Sequence, residues 1–97
     1  MILGIDIGTS SISGALYDPN ERTLQATASA CNDANVTDLP SGHYEQSPAR
    51  ILAIAQDVIR CLVDQAVSPV TGIALTGQMH GLVIVDRDLS PLTQCIT

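Results

Sequence analysis

Apolar and polar positions divide the chain into short runs with different periods. Residues 2–7 (Ile-Leu-Gly-Ile-Asp-Ile) form a nearly continuous apolar run cut by Gly8, which predicts a short, largely buried strand. Gly8 to Ser11 reads as a tight turn. Ile12 to Tyr17 alternates well enough for a second strand, closed by the turn residues Asp18-Pro19-Asn20. Leu24 to Ala30 predicts a third strand with a polar alternate face. Three strands joined by short turns imply an antiparallel meander.

Residues 31–46 are rich in Asn, Asp, Ser, Gly and Pro, the composition of a surface loop or an irregular return. Ser47-Pro48 then pairs an N-cap with a first helical residue, because the Ser oxygen accepts from an orphan amide and Pro has none to leave unpaired. Ile51, Leu52, Ala55, Val58, Ile59, Leu62, Val63 and Ala66 repeat at helical spacing, with Arg50, Gln56, Asp57, Arg60 and Asp64 largely opposite. The pattern predicts an amphipathic helix of about 20 residues packed on a sheet and stopped by Ser68-Pro69. Val70 to Thr76 reads as a fourth strand and Leu82 to Asp86 as a fifth, with Gly77-Gln78-Met79-His80-Gly81 between them. A helix between the third and fourth strands lets the fourth lie parallel to the first. The order suggests an α/β fold with a ribonuclease H-like mixed sheet, although propensity alone does not exclude another α+β arrangement.

Composition narrows the function classes. At 97 residues the chain suits one small domain, and one of this size buries roughly 60–65% of its unfolded surface. The 45% hydrophobic and 14% charged fractions describe a core former, yet Tyr17 and Tyr44 are its only aromatics, as in a part of something larger. A net charge of −6, with four arginines and no lysine, argues against nucleic acid and against anionic membranes as partners. A nucleotide site survives this exclusion, since backbone amides and a divalent cation hold phosphates without net positive charge. Cys31, Cys61 and Cys95 are odd in number and far apart, as free thiols in a reducing compartment would be. The start carries no basic leader and no long apolar run, so a cytoplasmic location is the expectation.

Two constellations carry candidate chemistry. In Gly4-Ile5-Asp6-Ile7-Gly8-Thr9-Ser10-Ser11, Asp6 ends a buried strand and a divalent cation offsets such a charge, while the turn aims amides and hydroxyls into the same space. A plain hairpin with Asp6 capping the turn fits the same residues. In Thr76-Gly77-Gln78-Met79-His80-Gly81, glycines flank Gln78 and His80, which can reach a polyhydroxylated ligand while Met79 lies against an apolar surface. A strand-to-strand turn with an exposed histidine is the alternative there.

Taken in order and spacing, these motifs resemble the N-terminus of the FGGY carbohydrate kinases, members of the actin-like ATPase superfamily. The likeness rests on Gly4 to Ser11, on Tyr44-Glu45-Gln46-Ser47-Pro48, which is similar to the family's Trp-x-Glu-Gln-Asp-Pro helix start, on the amphipathic helix, and on Ile73 to Asp86. Gly77-Gln78-Met79-His80-Gly81 looks like the xylulokinase and sedoheptulokinase branch. The resemblance implies transfer of the ATP γ-phosphoryl group to a sugar hydroxyl with Mg²⁺. Asp6 is then the catalytic residue that positions metal and phosphate, Gly8, Thr9, Ser10 and Ser11 bind the nucleotide phosphates, and Gln78, Met79 and His80 bind the sugar. It further implies that residues 1–97 are the N-terminal part of the first domain, with the aspartate general base and the adenosine-binding domain beyond Thr97. The partners are then a small sugar, the remainder of the same polypeptide, and a second copy in a homodimer. Many relatives have Lys or Arg where this chain has Ser13, which leaves a sensor that binds sugar or nucleotide without catalysis as an alternative. A general actin-like ATPase is another.

Overall fold

The computed structural model describes all of residues 1–97. Strands β1 (Ile2–Ile7), β2 (Ser11–Asp18) and β3 (Thr23–Cys31) form the expected meander. A two-residue β4 (Glu45–Gln46) leads into helix α1 (Pro48–Val63), followed by β5 (Gly72–Gly77) and a two-residue β6 (Cys95–Ile96). The main sheet has the order β3-β2-β1-β5, with β5 parallel to β1 in the register Ile2↔Gly72 to Ile7↔Gly77. This is the mixed sheet predicted from the strand and helix order.

Side-chain alternation builds the core on one face. Leu3 and Ile5 of β1, and Ile12 and Leu16 of β2, meet Ile54, Ala55, Val58 and Leu62 of α1 in one buried cluster. Leu3, Ile12, Leu16 and Leu62 are almost fully buried, and burial of each such side chain contributes about 1.5–3 kcal/mol. Gly14 lets the helix come this close. A Cβ there would lie 2.7 Å from Leu62 Cδ1, 2.8 Å from Ile5 Cδ1 and 3.0 Å from the Gly4 carbonyl oxygen. Gly14→Ala should therefore cost about 1–3 kcal/mol of stability, read as a lower denaturant midpoint at unchanged slope.

Helix α1 begins as expected: the Ser47 side chain accepts from the Arg50 amide and Pro48 opens the first turn. It has 16 residues, fewer than the pattern predicts. After Val63 the bonds tighten to i→i+3, with Gln65 N–H donating to Leu62 and Ala66 N–H to Val63, so the chain turns before Ser68-Pro69. Leu52 and Val63 are exposed and Ile54 is buried, so the inward face is rotated from the one predicted.

The fifth strand expected at 82–86 does not form. Leu82 and Val85 make only isolated bridges, to Ile96 and Pro91. The Asp86 carboxylate accepts from the amides of Asp88 and Ser90, and Leu89 takes φ 64°, so a tight turn ends the segment where a strand would have to continue. Its return limb supplies β6, which pairs antiparallel with β4 in a second, two-stranded sheet.

Candidate functional site

The face of the sheet opposite α1 is polar near the carboxyl ends of β1 and β5. Registers place Thr76, Asp6, Ser13 and Ser29 in one row across four strands. Small residues Ala74, Gly4 and Ala15 form the adjacent row. A shallow depression of about 400 Å³ lies over both, lined by Asp6, Ser13, Thr76 and the small residues among others. Ser13 and Ser29 hydrogen-bond each other at 2.8 Å. The Asp6 carboxylate is exposed and bonds to no protein group.

The turn that follows is shaped from behind. Gly8 N–H donates to the Ser11 carbonyl at 2.9 Å and closes it. Three successive carbonyls then receive donors from the protein: Gly8 from Asn32 Nδ2 at 2.9 Å, Thr9 from Gln46 Nε2 at 3.0 Å, and Ser10 from the Asn32 amide at 2.9 Å. In a trans peptide the N–H points opposite to its C=O, so holding these carbonyls drives the following amides the other way. The amides of Thr9 and Ser10 donate to no protein group. Two neighbouring amides directed outward make a cradle for an anion.

The Gly77 to Gly81 loop lies at the same end of the sheet, and a side-chain chain ties it to the turn. Thr9 Oγ1 donates to Gln78 Oε1 at 2.8 Å, and Gln78 Nε2 donates to Gln46 Oε1 at 3.0 Å. Gln46 Nε2 also reaches Asn35 Oδ1 at 2.9 Å. Gln78 is thus engaged within the protein, with one N–H and one lone pair left for a ligand. His80 is exposed with φ 67°. Met79 does not lie against an apolar surface; it is 80% exposed.

Asn32 and Gln46, 4% and 1% exposed, are the buried polar residues of the chain. Sequence reasoning placed Asn32 in a surface loop and treated Gln46 only as part of a helix start. The available signal was Gln46 next to the N-cap, a place where a side chain is held by fixed backbone. The loop carrying Asn32 and Asn35 is anchored by a two-pronged bond from Arg50 to Asp33, at 2.6 and 2.8 Å. Those hydrogen bonds hold the Asp33 carboxyl below its ordinary range and raise Arg50.

No group of three or more His, Cys, Asp or Glu could enclose a metal. A single carboxylate fits a cation that keeps several waters and is completed by phosphate oxygens, which is the habit of Mg²⁺. The carboxylate and the free amides of the turn fit that pair of groups.

Comparison with known proteins decides the family. The N-terminal domain of the FGGY family of carbohydrate kinases matches residues 1–97. The chain belongs to this family. Among FGGY relatives, the xylulose kinase of Lactococcus lactis subsp. lactis is 33% identical over 98 residues, covering 98% of this chain and 19% of the relative. Human sedoheptulokinase is 34% identical over 90 residues, covering 84% and 19%. The crystal structure of gluconate kinase from Lactobacillus acidophilus superposes with a TM-score of 0.85 at 31% identity, covering 99% of this chain and 19% of that one. The chain therefore spans about a fifth of the length of these FGGY proteins, and its mixed sheet is their actin-like fold.

Proposed function

We propose that this chain is the N-terminal part of the first, sugar-binding domain of an FGGY kinase. The kinase transfers the γ-phosphoryl group of ATP to a hydroxyl of a small ketose such as D-xylulose or sedoheptulose, in the cytoplasm. The carrying observation is the pair of outward amides at Thr9 and Ser10, in the turn that follows the strand of the unpartnered Asp6 carboxylate, hydrogen-bonded through Thr9 to the Gly77–Gly81 loop. Thr9 and Ser10 amides hold phosphate oxygens, with the hydroxyls of Ser10 and Ser11 around them, the Thr9 hydroxyl being given to Gln78. Asp6 orients the hydrated cation, and bound Mg²⁺ neutralises charge on the transferring group. Gln78, Met79 and His80 meet the sugar. In this reading Asp6 positions metal and phosphate, and a separate aspartate beyond Thr97 is the general base.

Joining to the rest of a longer polypeptide is supported by β5. It pairs only with β1, and its Ile73 and Leu75 are 66% and 71% exposed on the α1 side of the sheet. An apolar strand with a free edge is covered in a stable protein. A non-catalytic sensor is a second reading, favoured by Ser13, whose hydroxyl is bonded to Ser29 and brings no positive charge to the sheet face.

The test is ADP release by the full chain carrying this segment, given Mg²⁺, ATP and in turn D-xylulose, sedoheptulose, ribulose, gluconate or glycerol. Release that requires a ketose is expected. Sugar binding without transfer would establish the sensor, and turnover indifferent to every sugar would overturn both.

A further inference from the structure

The direction of the hydrogen-bond chain between the turn and the Gly77–Gly81 loop is fixed by a backbone group. The Thr9 carbonyl can only accept, so Gln46 presents its nitrogen there, at 3.0 Å. Gln46 Oε1 then faces Gln78, which must present Nε2, at 3.0 Å. Gln78 Oε1 is left toward Thr9, and the Thr9 hydroxyl must donate to it, at 2.8 Å. Reversing any one link sets two acceptors or two donors face to face. Gln46 is 1% exposed, so water does not relieve such a mismatch.

We propose that Gln46 is a positioning residue that couples the sugar loop to the phosphate turn. This rests on the kinase reading given above. One amide group touches both partners: its oxygen orients Gln78, and its nitrogen holds the Thr9 carbonyl and with it the outward direction of the Ser10 amide. A sugar that engages Gln78 fixes the rotamer that Gln46 and the Thr9 hydroxyl require. Phosphate on the Ser10 amide fixes the same peptide from the other side. Each ligand removes freedom that the other would otherwise have to remove, so the coupling is favourable and reciprocal.

The experiment measures sugar affinity of the full chain by titration calorimetry with and without MgADP, using the sugar accepted in the transfer assay, D-xylulose on the present reading. The parent should bind it roughly fivefold or more tightly with MgADP present. Gln46→Leu, and Gln46→Glu, which keeps the shape but sets an acceptor against the Thr9 carbonyl, should bring that ratio to about one. Thr9→Val breaks the chain at its exposed end without touching the buried amide, and should do the same if the Gln46 variants fail to fold. A Gln46 that only supported the fold would weaken both ligands and leave the ratio intact. Transfer that proceeds with a parent ratio of one, or with the ratio unchanged in the folded variants, overturns the coupling alone. A parent that neither binds sugar nor transfers phosphate overturns the kinase reading and the coupling with it.

Discussion

Asp6→Asn in the full chain is expected to lower kcat for sugar phosphorylation by about 10²–10³-fold, the scale of losing one preorganised electrostatic contact to the transferring group. The amide keeps the size of the carboxylate and removes the charge that orients the cation. Because Asp6 is exposed and bonded to no protein group, the fold loses nothing when it is replaced, and the melting temperature should stay within a degree or two of the parent. Sugar KM should change little, since Asp6 lies in the sheet row with Ser13 and Thr76 and outside the loop of Gln78 to His80. Steady-state kinetics with saturating MgATP separates these effects. Activity within about tenfold of the parent would remove Asp6 from the metal and phosphate site, because a residue whose only role is that contact has no other way to matter.

The sheet was readable because its determinants are local. Apolar runs at 2–7 and 70–76, a turn at each end of 12–17 and the Ser47-Pro48 pair each state one element without help from the rest of the chain. The order of those elements then leaves few topologies. Leu82 to Asp86 misled for the opposite reason. Its side chains carry strand propensity, yet the Asp86 turn and the pairing of Leu82 with Ile96 decide the path, and neither is visible in the segment itself. The helix face was misjudged by the same kind of error: Leu52 has the right spacing, but the sheet under α1 reaches Ile54.

The candidate site was legible at its front and not at its back. Asp6, the Gly8 turn and Gln78 announce themselves as polar groups at strand ends. Asn32 and Gln46 act at distances in sequence of 24 and 37 residues from the carbonyls they hold. Sequence presents them as ordinary loop polars. Burial is what turns them into the groups that aim the amides, and it arises where the segment between β3 and α1 folds back on itself and bonds to the turn.

Gly8→Ala carries the second large expected effect, and it arises from the same turn. A Cβ at Gly8 would sit 2.7 Å from the Ser11 carbonyl oxygen, a contact real side chains essentially never make. That oxygen cannot retreat cheaply, because it accepts the Gly8 amide at 2.9 Å, the bond that closes the turn. The turn must open, and opening it redirects the Thr9 and Ser10 amides that Asn32 and Gln46 hold from behind. A displacement near 1 Å in such a cradle costs about 10²-fold, so kcat/KM for ATP should fall by about that factor. Sugar affinity measured without nucleotide should remain within about threefold, since Gln78 keeps its bond to Gln46. The core sits on the other face of the sheet with Leu3, Ile12 and Leu62, so the variant should fold, with the loss confined to nucleotide handling. Equal loss of sugar affinity and ATP efficiency, or neither, would mean that the turn does not serve phosphate. The contrast between the two substrates therefore tests what the amides are for, which Asp6→Asn alone leaves open.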